Sequence, residues 1–312
     1  MYRTPSPSPS SPRIPVTSRL EVREVRCKTL LHDLGYLGST SYTANLYKGC
    51  THGCVYCYAP SLTHDERGWG TYVDVKTNAP QVLDRELRGL RMDEVFLSSA
   101  SDPYQPVEAR YGVTRRCLEI LLKYKFPVSI LTRSPLVLRD LDLLKRFEWL
   151  RVGMSITTVP DRKFEPGVPP LRRRINTLRR LADAGISTWV SLAPVIPGII
   201  LLDFDELFHE LGDAGVGSVS FGILRFAGYE GSMRMFEATA GMSTREALSG
   251  KEGVEAVLSK LVREHGMEHS FQTPGWRPRA GNTQLLDRFL PGESQSASGP
   301  PRCLPVSQLP RD

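Results

Sequence analysis

The sequence predicts an α/β fold built on a parallel sheet. Six short β-rich runs alternate with longer runs of helical periodicity, and the connections between them are short. The chemically unusual residues fall just after the β-rich runs. Strand–helix units joined in this way require parallel strands with right-handed crossovers. Their pattern leaves open whether the sheet is open and doubly wound or curved into a full or partial barrel. In each case ligands bind at the carboxyl ends of the strands.

Residues 1–18, MYRTPSPSPSSPRIPVTS, form a Pro/Ser-rich stretch expected to be disordered, and 19–40 lead into a core at 41–266. Short β-rich runs place strands at 41–47, 94–99, 127–132, 151–157, 187–195 and 218–224. Helices are expected from Pro80 to 89 and over 113–124, 138–147, 171–185, 204–215 and 253–266. Asn78 is the expected N-cap of the first, with Gly185 and Gly215 as C-terminal stops of two others. Residues 267–290 read as a C-terminal extension and 291–312 as a second disordered tail.

Composition narrows the class. The chain has 312 residues, 40% hydrophobic and 24% charged, enough for a sizeable core. No apolar run reaches the roughly 18 residues of a membrane span. The best approach, 190–202, is interrupted by Pro194 and Pro197. Of six cysteines, three crowd one loop while Cys27, Cys117 and Cys303 lie scattered. That is not a disulfide framework, so a reducing, cytoplasmic setting is expected. Cys117 reads as a core thiol, and His52 and His64 as surface residues. The formal net charge is +6. Much of it sits in LRRRINTLRR (171–180), where Leu171, Ile175 and Leu178 leave the arginines on the opposite face, either solvated or phosphate-contacting. Walker, nucleophile-elbow, zincin and dinucleotide motifs are absent.

NLYKGCTHGCVYCYA (45–59) spaces Cys50, Cys54 and Cys57 as C-x3-C-x2-C. A structural zinc wants four N/S ligands, usually as two pairs from separate turns; His52 would complete a strained set within one loop. An iron–sulfur cube offers separate irons to closely spaced thiolates. Three cysteines then leave one iron open, as catalytic sites require. Gly49 and Gly53 let the backbone turn tightly. Five segments converge at the strand ends: this loop, 99–106, 132–134, 157–166 and 194–198.

That spacing, with Tyr56 before the third cysteine, resembles the radical S-adenosylmethionine (SAM) superfamily. SDPYQPVE (101–108), LTRSPLVLRDLDLL (131–144), SITT (155–158) and Glu165–Pro166 extend the resemblance to its spore photoproduct lyase-like group. It implies a partial (β/α)6 TIM-like barrel. It also implies a 4Fe-4S cluster on Cys50, Cys54 and Cys57, with SAM on the open iron yielding a 5′-deoxyadenosyl radical that takes hydrogen from a substrate. For SAM it implies Tyr56 beside the adenine and Ser99, Ser101 and Asp102 near the ammonium. Thr132, Ser134 and Ser155 would lie near the ribose, and Glu165 and Arg174 near the carboxylate or substrate. Val195 and Ile196 would form an apolar floor. Tyr104 and Glu108 are the substrate-side candidates.

The implied partners are an electron donor such as a flavodoxin or ferredoxin and a nucleic acid substrate, with no membrane. The same chemistry on a protein or small molecule is the alternative, and a non-catalytic zinc-stabilised binding module the third. One departure stands out. Ser99 occupies the place of the lyase's hydrogen-donating cysteine, so thymine-dimer reversal is not implied.

Overall fold

A computed structural model describes residues 20–33, 42–63, 65–225 and 230–269. The two tails expected to be disordered, most of the C-terminal extension, His64 and Cys303 lie outside them. Six parallel strands form the body of the main sheet: β1 (Tyr42–Ala44), β2 (Val95–Leu97), β3 (Val128–Thr132), β4 (Leu150–Ile156), β5 (Ser187–Val195) and β6 (Ser218–Ile223). They lie side by side in sequence order. A doubly wound sheet reverses its order at a switch point; this one does not, so every crossover steps the same way. Leu31–Asp33 adds antiparallel to β1 and Glu268–His269 parallel to β6, so the sheet has two ends and the barrel is partial.

Helices α1 (Ala79–Leu87), α2 (Val113–Lys123), α3 (Leu141–Leu144), α4 (Leu171–Asp183), α5 (Phe204–Asp213), α6 (Glu230–Ala240) and α7 (Lys251–Glu264) complete the layout. Helical spacing aims one face of each at the core: α2 buries Val113, Cys117, Leu118 and Leu121. One apolar cluster gathers around β1–β3 with α1 and α2, and another around β4–β6 with α5 and α7. A third lies at the strand ends, where Cys54, Val55 and Tyr56 meet Phe164, Ile196, Leu224 and Phe236.

Several local expectations need correction. Strand 41–47 is broken: β1 stops at Ala44, and Tyr47–Lys48 turns away to pair antiparallel with Tyr72–Lys76. That strand also pairs with Glu21–Val25, completing a separate three-stranded sheet. Side-chain alternation runs on through the break, and a period of two does not say which strand is the partner. The helix expected at 138–147 is a 3-10 turn, Pro135–Asp140, followed by the short α3. Ser134 accepts the Leu136 amide and begins that turn early. Asn78 makes no side-chain cap. Its amide instead exchanges two hydrogen bonds with the Cys27 peptide, at 2.8 and 2.9 Å, fastening the lead-in to α1. Gly185 and Gly215 do end their helices, at φ +80 and +73.

Candidate active site

The cysteine loop leaves β1 through a turn that requires glycine. Gly49 has φ +83, and a Cβ there would lie 2.7 Å from the Tyr72 ring. Two tight turns follow, closed by Gly53 N–H to the Cys50 carbonyl (3.3 Å) and Cys57 N–H to the Cys54 carbonyl (3.1 Å). Distant segments hold the loop. Val55 N–H donates to Phe164 O at 3.0 Å, Gly167 N–H to His52 O at 3.0 Å, and the Ser232 hydroxyl on α6 to Cys57 O at 2.8 Å. Gln105 clamps it from the loop after β2, accepting the Thr51 amide (3.0 Å) and donating to Gly49 O (3.3 Å).

All three thiols are free, with Cys50 and Cys54 buried and Cys57 partly buried. Burial, first of all, pushes each thiol up: Cys50 well above its ordinary range, Cys54 to about 12, and Cys57 in the same direction. Cys50 and Cys54 also feel the negative charge their neighbours would carry, while Arg133 works the other way at Cys54 and Cys57. Left alone the trio stays protonated. A bound cation would make thiolates of it, with release of protons.

Asp102 ties the loop to the sheet. One oxygen accepts the Thr132 hydroxyl (2.6 Å) and the Tyr104 amide (2.8 Å); the other accepts the Arg133 amide (2.7 Å) and His52 Nε2 (3.1 Å). Burial alone would raise this carboxyl, but His52 and the donors around it hold it below the usual range. His52 is 2% exposed, which corrects its reading as a surface residue. Its Nδ1 faces Gly167 O at 3.0 Å. Acceptors thus meet both ring nitrogens, and none is left for a metal.

Beyond them lies a buried ion pair. Arg174 donates to Glu165 at 2.8 Å and to the Ser155 carbonyl at 2.9 Å, with Arg174 1% and Glu165 2% exposed. Tyr56 gives its hydroxyl to the same carboxylate, and Arg133 Nε reaches it at 3.4 Å. Burial pushes the Tyr56 phenol well up, keeping it a donor. Val195 and Ile196 are fully buried, Val195 in the β4–β6 cluster and Ile196 beside Cys54.

On the β2 side Ser98 holds φ +66, a turn that costs a non-glycine residue about 1 kcal/mol. Asn45 braces the segment that follows, donating to the Ser99 hydroxyl (3.2 Å) and accepting the Ala100 amide (2.8 Å).

Tyr104 and Glu108, expected on the substrate side, are instead packed into the core among protein partners. Both are wholly buried. Glu108 accepts the Tyr47 hydroxyl, the Thr114 amide (2.9 Å) and Arg139 (2.7 Å), bracing the loops that follow β1, β2 and β3. The Tyr104 ring lies beside Asp140 and Glu108.

His52 was read from sequence as a surface residue, and the site's remaining members, Gln105, Arg133 and Asn45, were not singled out from it. Each sits within a few positions of a residue that was, and that adjacency was the available signal.

An iron–sulfur cluster and SAM are not part of the structure, but the residues present fit them. Three desolvated thiols line one loop, and among the described residues the hidden hydroxyls of Thr51 and Ser101 and the Arg174 Nε have no protein partner. Added acceptors would satisfy those donors. A single tetrahedral ion would draw thiolates to about 3.8 Å from one another. Among the described residues no group of three or more His, Cys, Asp or Glu is placed to hold a single metal ion.

The sequence profile of the radical SAM superfamily matches residues 44–223. An uncharacterised protein of Methanocaldococcus jannaschii is 32% identical over 195 residues, covering 61% of this chain and 73% of that one. A radical SAM Nα-GlyT isomerase of Pseudomonas phage M6 is 32% identical over 195 residues, 60% of this chain and 40% of the isomerase. A solved spore photoproduct lyase mutant with bound AdoMet and dinucleoside spore photoproduct is similar in fold. Its TM-score is 0.61 at 17% identity, covering 81% of this chain and 82% of that one.

Proposed function

The chain belongs to the radical SAM superfamily, and we propose that its catalytic core, 41–266, performs radical chemistry on a nucleic acid. Cys50, Cys54 and Cys57 would hold a 4Fe-4S cluster with one iron left to SAM. When bound, that pair supplies a 5′-deoxyadenosyl radical able to abstract hydrogen. One observation carries the reading: three inward thiols share a loop whose histidine has both nitrogens engaged by Asp102 and Gly167. A Cys3His zinc site would need one of those nitrogens.

The chain's own residues orient and exclude water. Asp102 holds the cysteine loop against Thr132 and the Arg133 amide, so the loop keeps its place when a ligand enters. Glu165, Arg174 and Tyr56 form a polar wall, with the Arg174 Nε as a donor in reserve. Ile196, buried in the same apolar cluster as Cys54, would help exclude water there. The nucleic acid substrate is supported by the basic balance of the chain and by the resemblance of its motifs to the spore photoproduct lyase-like group. Ser99, hydrogen-bonded to Asn45, offers no thiol to a product radical, so dimer reversal by that route is not proposed. A small reductant protein of the flavodoxin or ferredoxin type would deliver the electron.

Anaerobic reconstitution tests this. The expected protein is brown, carries a four-iron cluster and, once reduced with dithionite, cleaves SAM to 5′-deoxyadenosine and methionine. Replacing any of the three cysteines by alanine abolishes cleavage. A colourless protein holding one zinc and no sulfide would refute the proposal.

A further inference from the structure

Helix α4 carries a charge pattern that neither the fold nor the cysteine site uses. It reads LRRRINTLRRLAD, five arginines against Asp183, so +4 of the chain's formal +6 lies in 13 residues. Ile175, Leu178 and Leu181 are buried, and Arg174 is committed to Glu165. Arg172, Arg173 and Arg180 stand exposed and Arg179 half-buried. Among the described residues no carboxylate lies within ion-pair distance of these four; Arg179 donates only to Asn176, at 3.0 Å.

The placement is unfavourable within the molecule. Arginines fill the start of α4, where no acid is present and the helix dipole disfavours cations. Helix α5, by contrast, opens with an Asp203 cap followed by Asp205 and Glu206. Seven residues separate Arg172 from Arg179 and Arg173 from Arg180. That is close to two turns, so the two Arg–Arg steps recur about 10.5 Å apart along the helix axis and on the same side of it.

Between α4 and α5 runs a groove of about 240 Å³, lined by Arg172, Ile175, Asn176 and Arg179, with Glu210 as the one acid on its α5 wall. The loop leading into α4 also exposes Arg162 and Lys163, beside Phe164 of the cysteine-loop cluster. Exposed cationic side chains therefore occur both in the loop that precedes α4 and on the outer face of the helix.

We infer that this face binds the phosphodiester backbone of a nucleic acid whose reacting nucleotide occupies the strand-end site. The inference deepens the proposed function and rests on it for what enters that site. Guanidinium forks match phosphate oxygens in bidentate geometry. A protein partner would be anchored by exposed aromatic or apolar side chains at its centre. This face offers arginines and an asparagine around a buried Ile175.

The test is fluorescence anisotropy of a fluorescein-labelled 20-nucleotide DNA strand, titrated with the reconstituted full chain at 50 and 200 mM KCl. For single strands each phosphate contact adds about 0.7 to the fall of log K with log salt, so four contacts account for about 50-fold between these two conditions. The variant R172Q/R173Q/R179Q/R180Q is expected to bind at least about tenfold more weakly at 50 mM and to lose that share of salt dependence. Its substrate-free SAM cleavage should be unchanged.

Wild-type affinity and slope in the variant would overturn the inference. So would displacement of the strand by polyglutamate at matched charge and concentration, which assigns the face to an acidic polypeptide. If neither protein cleaves SAM yet the substitutions still release the strand, the radical reading fails and this surface stands. Should the quadruple variant not fold, R172Q/R173Q and R179Q/R180Q are each expected to lose about half of that share of the salt dependence.

Discussion

Gly167 lies where the segment after β4 crosses the cysteine loop, and a single methyl group tests the whole arrangement. A Cβ at this position would sit 2.9 Å from His52 Cα and 3.1 Å from the Thr51 carbonyl carbon, and closer still to the Thr51 oxygen. Ordinary contact begins at 3.4 Å, so the backbone must part by at least about 0.5 Å. These are main-chain atoms, with no flexible tip to swing aside. Overpacking of this kind costs about 1–3 kcal/mol. The same shift strains two hydrogen bonds of 3.0 Å, Gly167 N–H to His52 O and His52 Nδ1 to Gly167 O, each worth about 1 kcal/mol.

Gly167→Ala should therefore cost the metal-free protein about 2–4 kcal/mol, read as a lower urea midpoint at unchanged slope. It should also lower the iron bound per chain after anaerobic reconstitution. Gly253→Ala is the control. It lies at an exposed position of helix α7 with nothing within 4 Å of its would-be Cβ, and should stabilise by about 1 kcal/mol. Wild-type midpoint and iron content in Gly167→Ala would refute the view that this crossing sets the loop.

Two further outcomes follow from the buried charges. The Cys54 thiol, raised above all by burial, titrates near 12 in the folded metal-free protein against 9.0 ordinarily. The unfolded chain thus sheds its proton first, and stability declines as pH climbs from 9 toward 12, by about 4 kcal/mol in all. Urea midpoints of wild type and Cys54→Ser from pH 8 upward should show that extra decline in the wild type; parallel curves would contradict it. Glu165→Gln strands the buried Arg174 and should cost about 3–5 kcal/mol, most of it recovered in Glu165→Gln/Arg174→Met. Equal midpoints for the two variants would place the destabilisation elsewhere.

Much of the fold was legible because its signals are local. Strand 187–195 was read to the residue, since its β-rich run is contained in nine consecutive positions. The sheet's curvature was not, because open and barrel forms share the same strand–helix alternation; the resemblance implied a barrel, and the unreversed strand order fits one. Tyr47–Lys48 was misassigned because the alternation of a strand is blind to its partner. At the site, the three cysteines were visible as contiguous chemistry. His52 was not, because its partners Asp102 and Gly167 lie 50 and 115 residues away. Tyr104 and Glu108 were drawn toward a substrate by their neighbourhood in the chain, while packing turned both into the core.

The sequence by itself determined which atoms are available for chemistry, three thiols on one short loop, and the alternation that sets strand ends beside them. Only the tertiary structure decided which of the surrounding polar groups are consumed in holding that loop and which remain for a ligand. Backbone spacing is written over a few residues. Hydrogen-bond satisfaction in a buried site is decided among segments that meet only after the chain has folded.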